Sequence, residues 1–179
     1  DNHTLALSED GTVYSFGWGE YGKLGHGDEE NQHTPRAIEG LRGGRACAVA
    51  AANLHSLVLG ASGAVYSFGC GGVGRLGHGG NHNQLTPKVI EALRSVRVCA
   101  VAASDAHSLV LGDGGEVYSF GFGMSGELGH GDKAHQNTPK VIEALKGVKV
   151  RAVAAGDHSL VVSSAGEVYS FGDGSQPGG

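Results

Sequence analysis

The chain lacks the features that mark membrane and secreted proteins. No apolar run approaches the ~18 residues that a membrane helix needs, and three cysteines in 179 residues cannot make a disulfide framework. No basic-then-apolar leader is visible, so no signal peptide is predicted. Because residue 1 is Asp, we expect the true N-terminus to lie further upstream. We therefore expect a reducing compartment, the cytoplasm or the nucleus, and no membrane partner.

Strong positive charge is also missing. The net charge is −5, whereas nucleic-acid-binding domains usually carry a basic surface. No nucleic-acid partner is therefore expected. What the chain has in excess is glycine: 33 residues recur at fixed places rather than in a low-complexity tract. This placement predicts many tight turns between short strands.

A repeated segment accounts for those fixed places. The stretch that runs from His-Thr-Leu or His-Ser-Leu to Tyr-Ser-Phe-Gly begins at His3, His55, His107 and His158, with spacings of 52, 52 and 51 residues. A fixed period of this length is typical of a solenoid or a propeller built from one supersecondary unit.

The copy between Thr86 and Gly121 shows what the unit is. It contains four β-prone runs, and its Pro87 favours an edge position. The last two runs are joined by Gly-Asp-Gly-Gly, a hairpin signal. Val-Tyr-Ser-Phe places apolar groups on both faces, which suits a sheet packed between two neighbours. The predicted strands are 86–90, 97–103, 107–111 and 116–121.

We predict an all-β fold made of antiparallel four-stranded propeller blades. Two of the strands occur four times and the other two occur three times, which gives fourteen strands, or about three and a half blades. The chain is read as a single partial propeller over residues 1–179. Its repeats are predicted at 1–33 (partial), 34–85, 86–137 and 138–179 (partial).

The recurring words resemble the regulator of chromosome condensation repeat. They are Leu-Gly-His-Gly (24–27, 76–79 and 128–131), Thr-Pro-x-x-Ile-Glu, Val-Ala-Ala, His-Ser-Leu and Val-Tyr-Ser-Phe-Gly. The resemblance implies a seven-bladed propeller, and the Leu-Gly-His-Gly wording looks most like the repeats of large HECT-type ubiquitin ligases and similar multidomain proteins. Seven such repeats need about twice the 179 residues. We therefore expect the open edges to be completed by the rest of the same chain or by another subunit.

Three Gly-x-Gly-x-x-Gly matches begin at Gly17, Gly69 and Gly121, each after a predicted strand. A dinucleotide site needs a helix immediately afterwards, so that its N-terminus can hold the pyrophosphate. Leu-Gly-His-Gly and a polar loop follow instead. We read the matches as one glycine-rich turn used three times, and no cofactor is expected.

Ten histidines invite a metal-site interpretation, but equivalent residues lie on different blades, and one zinc needs all its donors within about 2.0–2.1 Å. We expect no metal site and assign a structural hydrogen-bonding role to seven of them: His3, His55, His107, His158, His26, His78 and His130. His33, His82 and His135 are expected to face solvent. Catalysis is not predicted either, because Ser and His side by side on a strand point to opposite faces.

The loop after Tyr-Ser-Phe-Gly differs most between copies. Aromatic, Met and Arg side chains, which protein interfaces favour, occur in it. The candidate partner-binding residues are Trp18, Glu20, Tyr21, Lys23, Cys70, Val73, Arg75, Phe122, Met124, Ser125 and Glu127. Unconstrained drift of a loop is the competing interpretation.

Basic residues recur in columns beside a glutamate column. The basic columns are Arg36, Lys88 and Lys140; Arg42, Arg94 and Lys146; and Arg45, Arg97 and Lys149. A solvated outer edge is the first interpretation, since the charge is locally balanced. An acidic partner is the alternative, and a strong salt dependence of binding would support it.

The leading functional hypothesis is a non-catalytic protein-interaction scaffold, for example the substrate-recognition segment of a ubiquitin ligase. The alternative that the resemblance implies is a guanine-nucleotide exchange factor for a small GTPase of the Ran type. The regular periods leave no room for a wedge insertion in the blades present, although a missing blade could carry one. A photoreceptor role resembles one member of the family that relies on clustered Trp, and Trp18 stands alone here. The charge of −5 and the lack of a basic tail disfavour chromatin binding.

Overall fold

The computed structural model describes residues 2–174, and these residues form four antiparallel sheets with fourteen strands. The predicted fold class is confirmed: the protein is all-β and consists of consecutive propeller blades. The His-Ser-Leu strands are β1 (His3–Leu7), β5 (His55–Gly60), β9 (His107–Gly112) and β13 (His158–Ser163). The Tyr-Ser-Phe strands are β2 (Val13–Gly17), β6 (Val65–Gly69), β10 (Val117–Gly121) and β14 (Val168–Gly172).

The other two strand types lie at the two edges of each sheet. The Val-Ala-Ala strands are β4 (Ala46–Ala51), β8 (Val98–Ala103) and β12 (Val150–Ala155). The Thr-Pro strands are β3 (Gln32–Ala37), β7 (Gln84–Val89) and β11 (Gln136–Val141). A complete blade has the order β4-β5-β6-β7, so the proline of the Thr-Pro strand lies on an edge strand. An edge strand has a neighbour on one side only, and the missing N–H of proline is tolerated there.

Contacts between blades show which edge is central. β4 contacts β8, and β8 contacts β12, so the Val-Ala-Ala strands are nearest to one another and line the inside of the arc. The Thr-Pro strands lie outside. The first blade has no Val-Ala-Ala strand and the fourth has no Thr-Pro strand within the described residues.

Three apolar clusters lie between successive blades, and each is shared by both blades at its junction. The clusters centre on Phe68 with Ile38, on Phe120 with Ile90, and on Val161 with Ile142. Each of these isoleucines lies between a Thr-Pro strand and the 3-10 turn that follows it. These 3-10 turns lie at Glu39–Leu41, Glu91–Leu93 and Glu143–Leu145.

The first glycine of Leu-Gly-His-Gly is required by packing as well as by backbone conformation. Gly25, Gly77 and Gly129 have φ values of 77°, 75° and 71°, and a Cβ on each would lie 2.9 Å from the Cε2 atom of a phenylalanine in the next blade. The phenylalanine ring of each Tyr-Ser-Phe strand therefore packs directly on the Leu-Gly-His-Gly turn of the preceding blade.

Candidate protein-interaction face

Histidine and serine side chains connect each blade to the next. His3 Nε2 lies 2.8 Å from Ser56 Oγ, His55 Nε2 lies 2.8 Å from Ser108 Oγ, and His107 Nε2 lies 2.8 Å from Ser159 Oγ. The histidine and serine that are adjacent in sequence point apart, as alternation on a strand requires. The imidazole meets the hydroxyl of the following blade instead.

The serine hydroxyl sets the tautomer of these histidines. Ser56 Oγ donates to the Lys23 carbonyl oxygen at 2.8 Å, Ser108 Oγ to that of Arg75 at 2.9 Å, and Ser159 Oγ to that of Glu127 at 2.7 Å. Because its proton is used there, each hydroxyl accepts from the imidazole, and Nε2 must carry the hydrogen. Each junction thus ties two blades and one loop at a single buried point.

Burial keeps these histidines neutral. Desolvation, aided by the nearby Lys23 charge, lowers the pKa of His3 to about 4. Desolvation and the Arg75 charge lower the pKa of His55 to about 3. Desolvation alone lowers the pKa of His107 to about 4. Burial favours the neutral imidazole because the charged form is costly to remove from water.

A second histidine in each repeat closes the Leu-Gly-His-Gly turn onto its own blade. Nε2 of His26, His78 and His130 lies 2.9 Å from the hydroxyl of Ser15, Ser67 and Ser119, respectively. Each hydroxyl donates in turn to a leucine carbonyl oxygen at the start of the turn. Burial lowers the pKa of all three of these histidines as well. His158, in the last blade, is exposed.

The variable loops leave every blade at the same end. The Gly17, Gly69 and Gly121 ends of the Tyr-Ser-Phe strands pair with the histidine ends of the neighbouring strands, and the loops that follow extend over the next blade. Gly27 N–H donates to the Leu85 carbonyl oxygen at 2.9 Å across the first junction. We call the exposed parts of residues 18–21, 70–73 and 122–125 the loop face.

Most of the candidate partner-binding residues lie on this face. Trp18 is 49% exposed and Met124 is 57% exposed. Glu20 and Ser125 are exposed, and Tyr21, Cys70, Val73 and Phe122 are half-buried. Their role in binding stays a prediction, but the structure brings these eight residues to one side of the protein, as one loop type in successive blades requires.

Three of the predicted loop residues are buried and do not belong to the loop face. Lys23 is 2% exposed, Arg75 is 8% exposed and Glu127 is 5% exposed. Their side chains contact the protein's own backbone, so they do not form part of the exposed loop face. Loop sequence variation alone could not distinguish these inward positions from outward ones.

Two loop residues adopt strained backbone conformations. Tyr21 has a φ of 62° and Val73 a φ of 55°, in the left-handed region that costs a residue other than glycine about 1–3 kcal/mol. Each lies within a single 3-10 turn, at Glu20–Gly22 and Gly72–Gly74. No α-helix follows the glycine triplets within the described residues, so the helix that a pyrophosphate site needs is not there.

The third copy of the loop is organised differently. The Gly123 N–H donates to His135 Nδ1 at 3.2 Å, where Asn31 and Asn83 accept the equivalent bonds in the first two copies. The His135 ring lies 5.0 Å from the Phe122 ring, centre to centre. His135 is exposed, as the sequence predicted, and its ring also supports the loop.

The opposite side of the blades, formed by the His-Ser-Leu to Tyr-Ser-Phe hairpins and the links after the Thr-Pro strands, carries locally paired charge. We call it the hairpin face (residues 8–12, 38–45, 60–64, 90–97, 112–116 and 142–149). Arg42 pairs with Glu39 at 2.7 Å and Arg97 with Asp113 at 3.3 Å. These pairs are exposed and contribute little stability.

Within residues 2–174, no group of three or more His, Cys, Asp or Glu side chains is placed to hold a metal ion. The helical segments there are turns of three residues, none of them able to cross a membrane.

Comparison with known proteins agrees with the geometry. A family model described as the regulator of chromosome condensation (RCC1) repeat matches residues 10–59, 62–111 and 114–162. The chain belongs to the RCC1 repeat family. Each matched segment starts in the hairpin between a His-Ser-Leu strand and a Tyr-Ser-Phe strand. The matches therefore place the repeat boundaries differently from the strand-based ones, which stay a prediction.

RCC1-repeat relatives include parts of much larger proteins. Over 175 residues, the chain is 39% identical to human E3 ubiquitin-protein ligase HERC2, covering 96% of the chain but 4% of that protein. It is 38% identical over 173 residues to the ultraviolet-B receptor UVR8 of Arabidopsis thaliana, covering 96% of the chain and 39% of the receptor. The chain therefore spans well under half the length of these relatives.

Solved RCC1-type propellers have the same fold. The structure of human WBSCR16 superposes with a TM-score of 0.87 at 28% identity. The superposition covers 96% of this chain and 45% of the WBSCR16 chain. The structure of yeast RCC1 (Prp20) bound to Kap60 gives a TM-score of 0.80 at 26% identity, with 96% of this chain and 42% of that chain covered.

The junction serines were missed by sequence reasoning as binding groups. Ser56, Ser108 and Ser159 are all fully buried, yet they lie in apolar strands. A small polar residue that recurs at the same place in an otherwise apolar strand is the signal that could have identified them, because such a residue must have a hydrogen-bond partner.

Proposed function

We propose that the protein is a non-catalytic recognition module of a larger regulatory protein, such as a ubiquitin ligase, and that its loop face binds a partner protein. The observation that supports this most strongly is the contrast between repeats. The junction histidines and serines are repeated with the same distances, whereas the exposed loop residues differ in every blade. A scaffold that repeats its buried contacts can vary its exposed loops at little cost in stability.

The chemistry of the loop face fits a protein partner. Trp18 and Met124 are large apolar side chains at about half exposure, and half-buried Tyr21 and Phe122 lie in the same loops. Residues of these types are enriched at the centre of protein interfaces, where they supply buried apolar area. Glu20 and Ser125, both exposed, add polar groups of the kind found around such centres.

The ligase context is supported by the relatives. HERC2 is named as an E3 ubiquitin-protein ligase, and HERC4 of mouse, at 37% identity over 173 residues, is named as a probable one. The chain spans 4% and 16% of these two proteins, respectively. A segment of this size that supplies recognition rather than catalysis fits a ligase whose chemistry is carried elsewhere.

The uncovered flank of the last blade supports a larger ring. Val168 is 66% exposed, whereas Val65 and Val117 at the same place in complete blades are 1% exposed. We propose that further blades of the same polypeptide cover this flank, with a second subunit as the other candidate. Burial of one valine contributes about 1.5–3 kcal/mol, so a covering blade would be stabilising.

The experiment is a quantitative capture from a lysate with three forms of the protein. The wild type is compared with the double variant Trp18→Asp, Met124→Asp, and with Ser62→Asp on the hairpin face as a charge control. We expect a defined set of proteins to be captured by the wild type and the control but depleted at least about tenfold by the loop variant. A captured small GTPase would then be assayed for accelerated nucleotide release.

Equal capture by all three forms would contradict the proposal, as would losses confined to the Ser62→Asp variant. Circular dichroism of each form checks that the fold is retained, since the three substituted side chains are exposed.

A further inference from the structure

Three equivalent residues stand at the junctions between blades, and one of them has the opposite charge. Lys23, Arg75 and Glu127 precede the leucine of Leu-Gly-His-Gly in successive copies. Their carbonyl oxygens accept from the next blade's serine at 2.8, 2.9 and 2.7 Å, respectively. Because the backbone is held by the same hydrogen bond each time, the three side chains start from equivalent positions at their junctions.

At the first two junctions the side chain is a cation that reaches across to the next blade. Lys23 Nζ donates to the Asn53 carbonyl oxygen at 3.1 Å, and Arg75 Nη1 donates to the Asp105 carbonyl oxygen at 2.7 Å. Asn53 and Asp105 are equivalent residues of successive blades, each in the short loop after the Val-Ala-Ala strand. The protein therefore fills each of these junctions with its own positive charge, and burial lowers the pKa of Lys23 there.

At the third junction no such cation is present. Glu127 is 5% exposed, and its Oε2 accepts one hydrogen bond, from the Ser125 N–H at 2.7 Å. In the part of the chain that the structure describes, no lysine or arginine forms an ion pair with it. The next loop is one residue shorter and has Asp157 in place of Asn53 or Asp105.

A pocket of about 250 Å³ opens where the cation would lie. Its lining includes four acidic residues, Asp105, Glu127, Asp157 and Asp173, together with Phe122, Ser104 and His107. A buried carboxylate without a positive partner is costly, whereas a charge-assisted hydrogen bond to it is among the stronger polar contacts. Two junctions of the same protein show what group fits this position.

We propose that a lysine or arginine side chain of the partner protein enters this pocket and takes the place that Lys23 and Arg75 fill at the other junctions. This inference rests on the proposed function, and it adds the chemistry of the partner: a basic residue on an exposed segment. The aliphatic part of that side chain packs on the Phe122 ring, and its charged end reaches Glu127 and the loop at Asp157.

The surroundings favour a protein segment over a small amine. Met124 is exposed and lies in the same loop as Phe122, so the pocket opens next to the apolar part of the loop face. At this end of the blades the exposed charges are mostly negative, with Glu20, Glu29, Glu30, Asp105, Asp132 and Asp157 against Lys133. A basic segment with apolar residues beside its lysine or arginine complements both features.

The test uses two short peptides and the isotope-labelled protein. Acetyl-Gly-Lys-Gly-amide is titrated and followed by NMR, with acetyl-Gly-norleucine-Gly-amide as the uncharged match. The lysine peptide is expected to shift backbone amide signals of residues 104–107, 122–127 and 156–157 in a saturable way. The norleucine peptide is expected to leave them unchanged at the same concentrations.

Two variants locate the effect. Glu127→Lys places a cation where the first repeat has Lys23, and we expect it to weaken lysine-peptide binding at least about tenfold, equivalent to about 1.4 kcal/mol, without lowering the melting temperature. Glu116→Lys makes the same charge change on the hairpin face and should leave binding unchanged. If Glu127→Lys does not fold, Glu127→Gln replaces it, again with reduced binding expected.

Three results would overturn the inference. They are equal shifts from both peptides, shifts spread over every acidic loop, and binding that survives substitution of Glu127. The outcome is independent of the capture experiment, because it needs no natural partner. If capture depends on Trp18 and Met124 but the lysine peptide does not bind in the pocket, only the proposal of a pocket for a basic side chain is refuted. If the lysine peptide binds in the pocket but the loop variant captures the same proteins as the wild type, the proposed function is refuted instead.

Discussion

At the scale of single residues, stability depends on serines that sequence position alone would class as ordinary strand residues. Ser108 accepts from His55 Nε2 and donates to the Arg75 carbonyl oxygen, and it is fully buried. The three groups satisfy one another, so removing the hydroxyl leaves two of them without partners in a dry site. An unsatisfied buried polar group costs more than the hydrogen bond contributed when present.

We therefore expect Ser108→Ala to lower the free energy of unfolding by about 2–4 kcal/mol, measured by urea denaturation at pH 7.5. Ser62→Ala is the matched control, because Ser62 is exposed in a hairpin turn. Its effect should stay within about 0.5 kcal/mol. Similar effects for both substitutions would show that the junction hydrogen bonds contribute nothing.

The buried histidines also predict how stability depends on pH. The pKa of His3 and of His107 is lowered from 6.5 to about 4, and the pKa of His55 to about 3. Between these values and 6.5 the unfolded chain binds more protons than the folded protein. The stabilisation is therefore complete above pH 6.5 and is lost as pH falls towards 4, by at most about 1.4 kcal/mol per pH unit for each histidine.

Urea denaturation at pH 7.5, 6 and 5 checks this sign. The free energy of unfolding should decrease steadily over this range, before most carboxylates titrate. His55→Gln should make the dependence shallower, whereas replacement of the exposed His82 by Gln should not change it. A protein that is equally stable at pH 5 and pH 7.5 would contradict the assignment of neutral, desolvated junction histidines.

At the scale of the element, the turns determine how closely blades approach. Gly77 has a φ of 75°, and a Cβ there would lie 2.9 Å from the Phe120 ring of the next blade. Gly79, in the same turn, has a φ of 85° but meets nothing closer than the Thr138 methyl group at 3.8 Å. The two glycines share the backbone requirement, and only one has the packing requirement.

Gly77→Ala should therefore destabilise the protein more than Gly79→Ala. We expect about 1–2 kcal/mol for each from the backbone conformation, and a further 1–3 kcal/mol or so at Gly77 from overpacking against the phenylalanine. Thermal and urea denaturation of both variants give the comparison. Equal losses would mean that the blades separate easily enough to accept the added methyl group.

The strands were predictable because their signals are local. Alternation, the Gly-Asp-Gly-Gly hairpin and the edge proline identified each strand type, and Val98–Ala103 and Val117–Gly121 differ from the predicted strands by one residue at the start. The direction of the loop side chains was not predictable in this way. Lys23, Arg75 and Glu127 point inward because the next blade's serine holds their backbone, a contact between residues more than thirty positions apart.

At the scale of the whole molecule, the blades form a continuous arc whose cores are all shared. Each apolar cluster among residues 2–174 contains side chains from both sides of a junction. The arc therefore behaves as a rigid support for the loop face. The single-residue junctions, the turn packing and the shared clusters have the same consequence: they hold the variable loops of successive blades in fixed relative positions on one side.

Hydrogen–deuterium exchange of the protein, alone and with the partner identified by capture, tests this arrangement most directly. We expect the bound partner to slow exchange in residues 18–21, 70–73 and 122–125 together, with no change at the hairpins 8–12, 60–64 and 112–116. Protection confined to the hairpin face, or to one blade's loop without its neighbours, would contradict it.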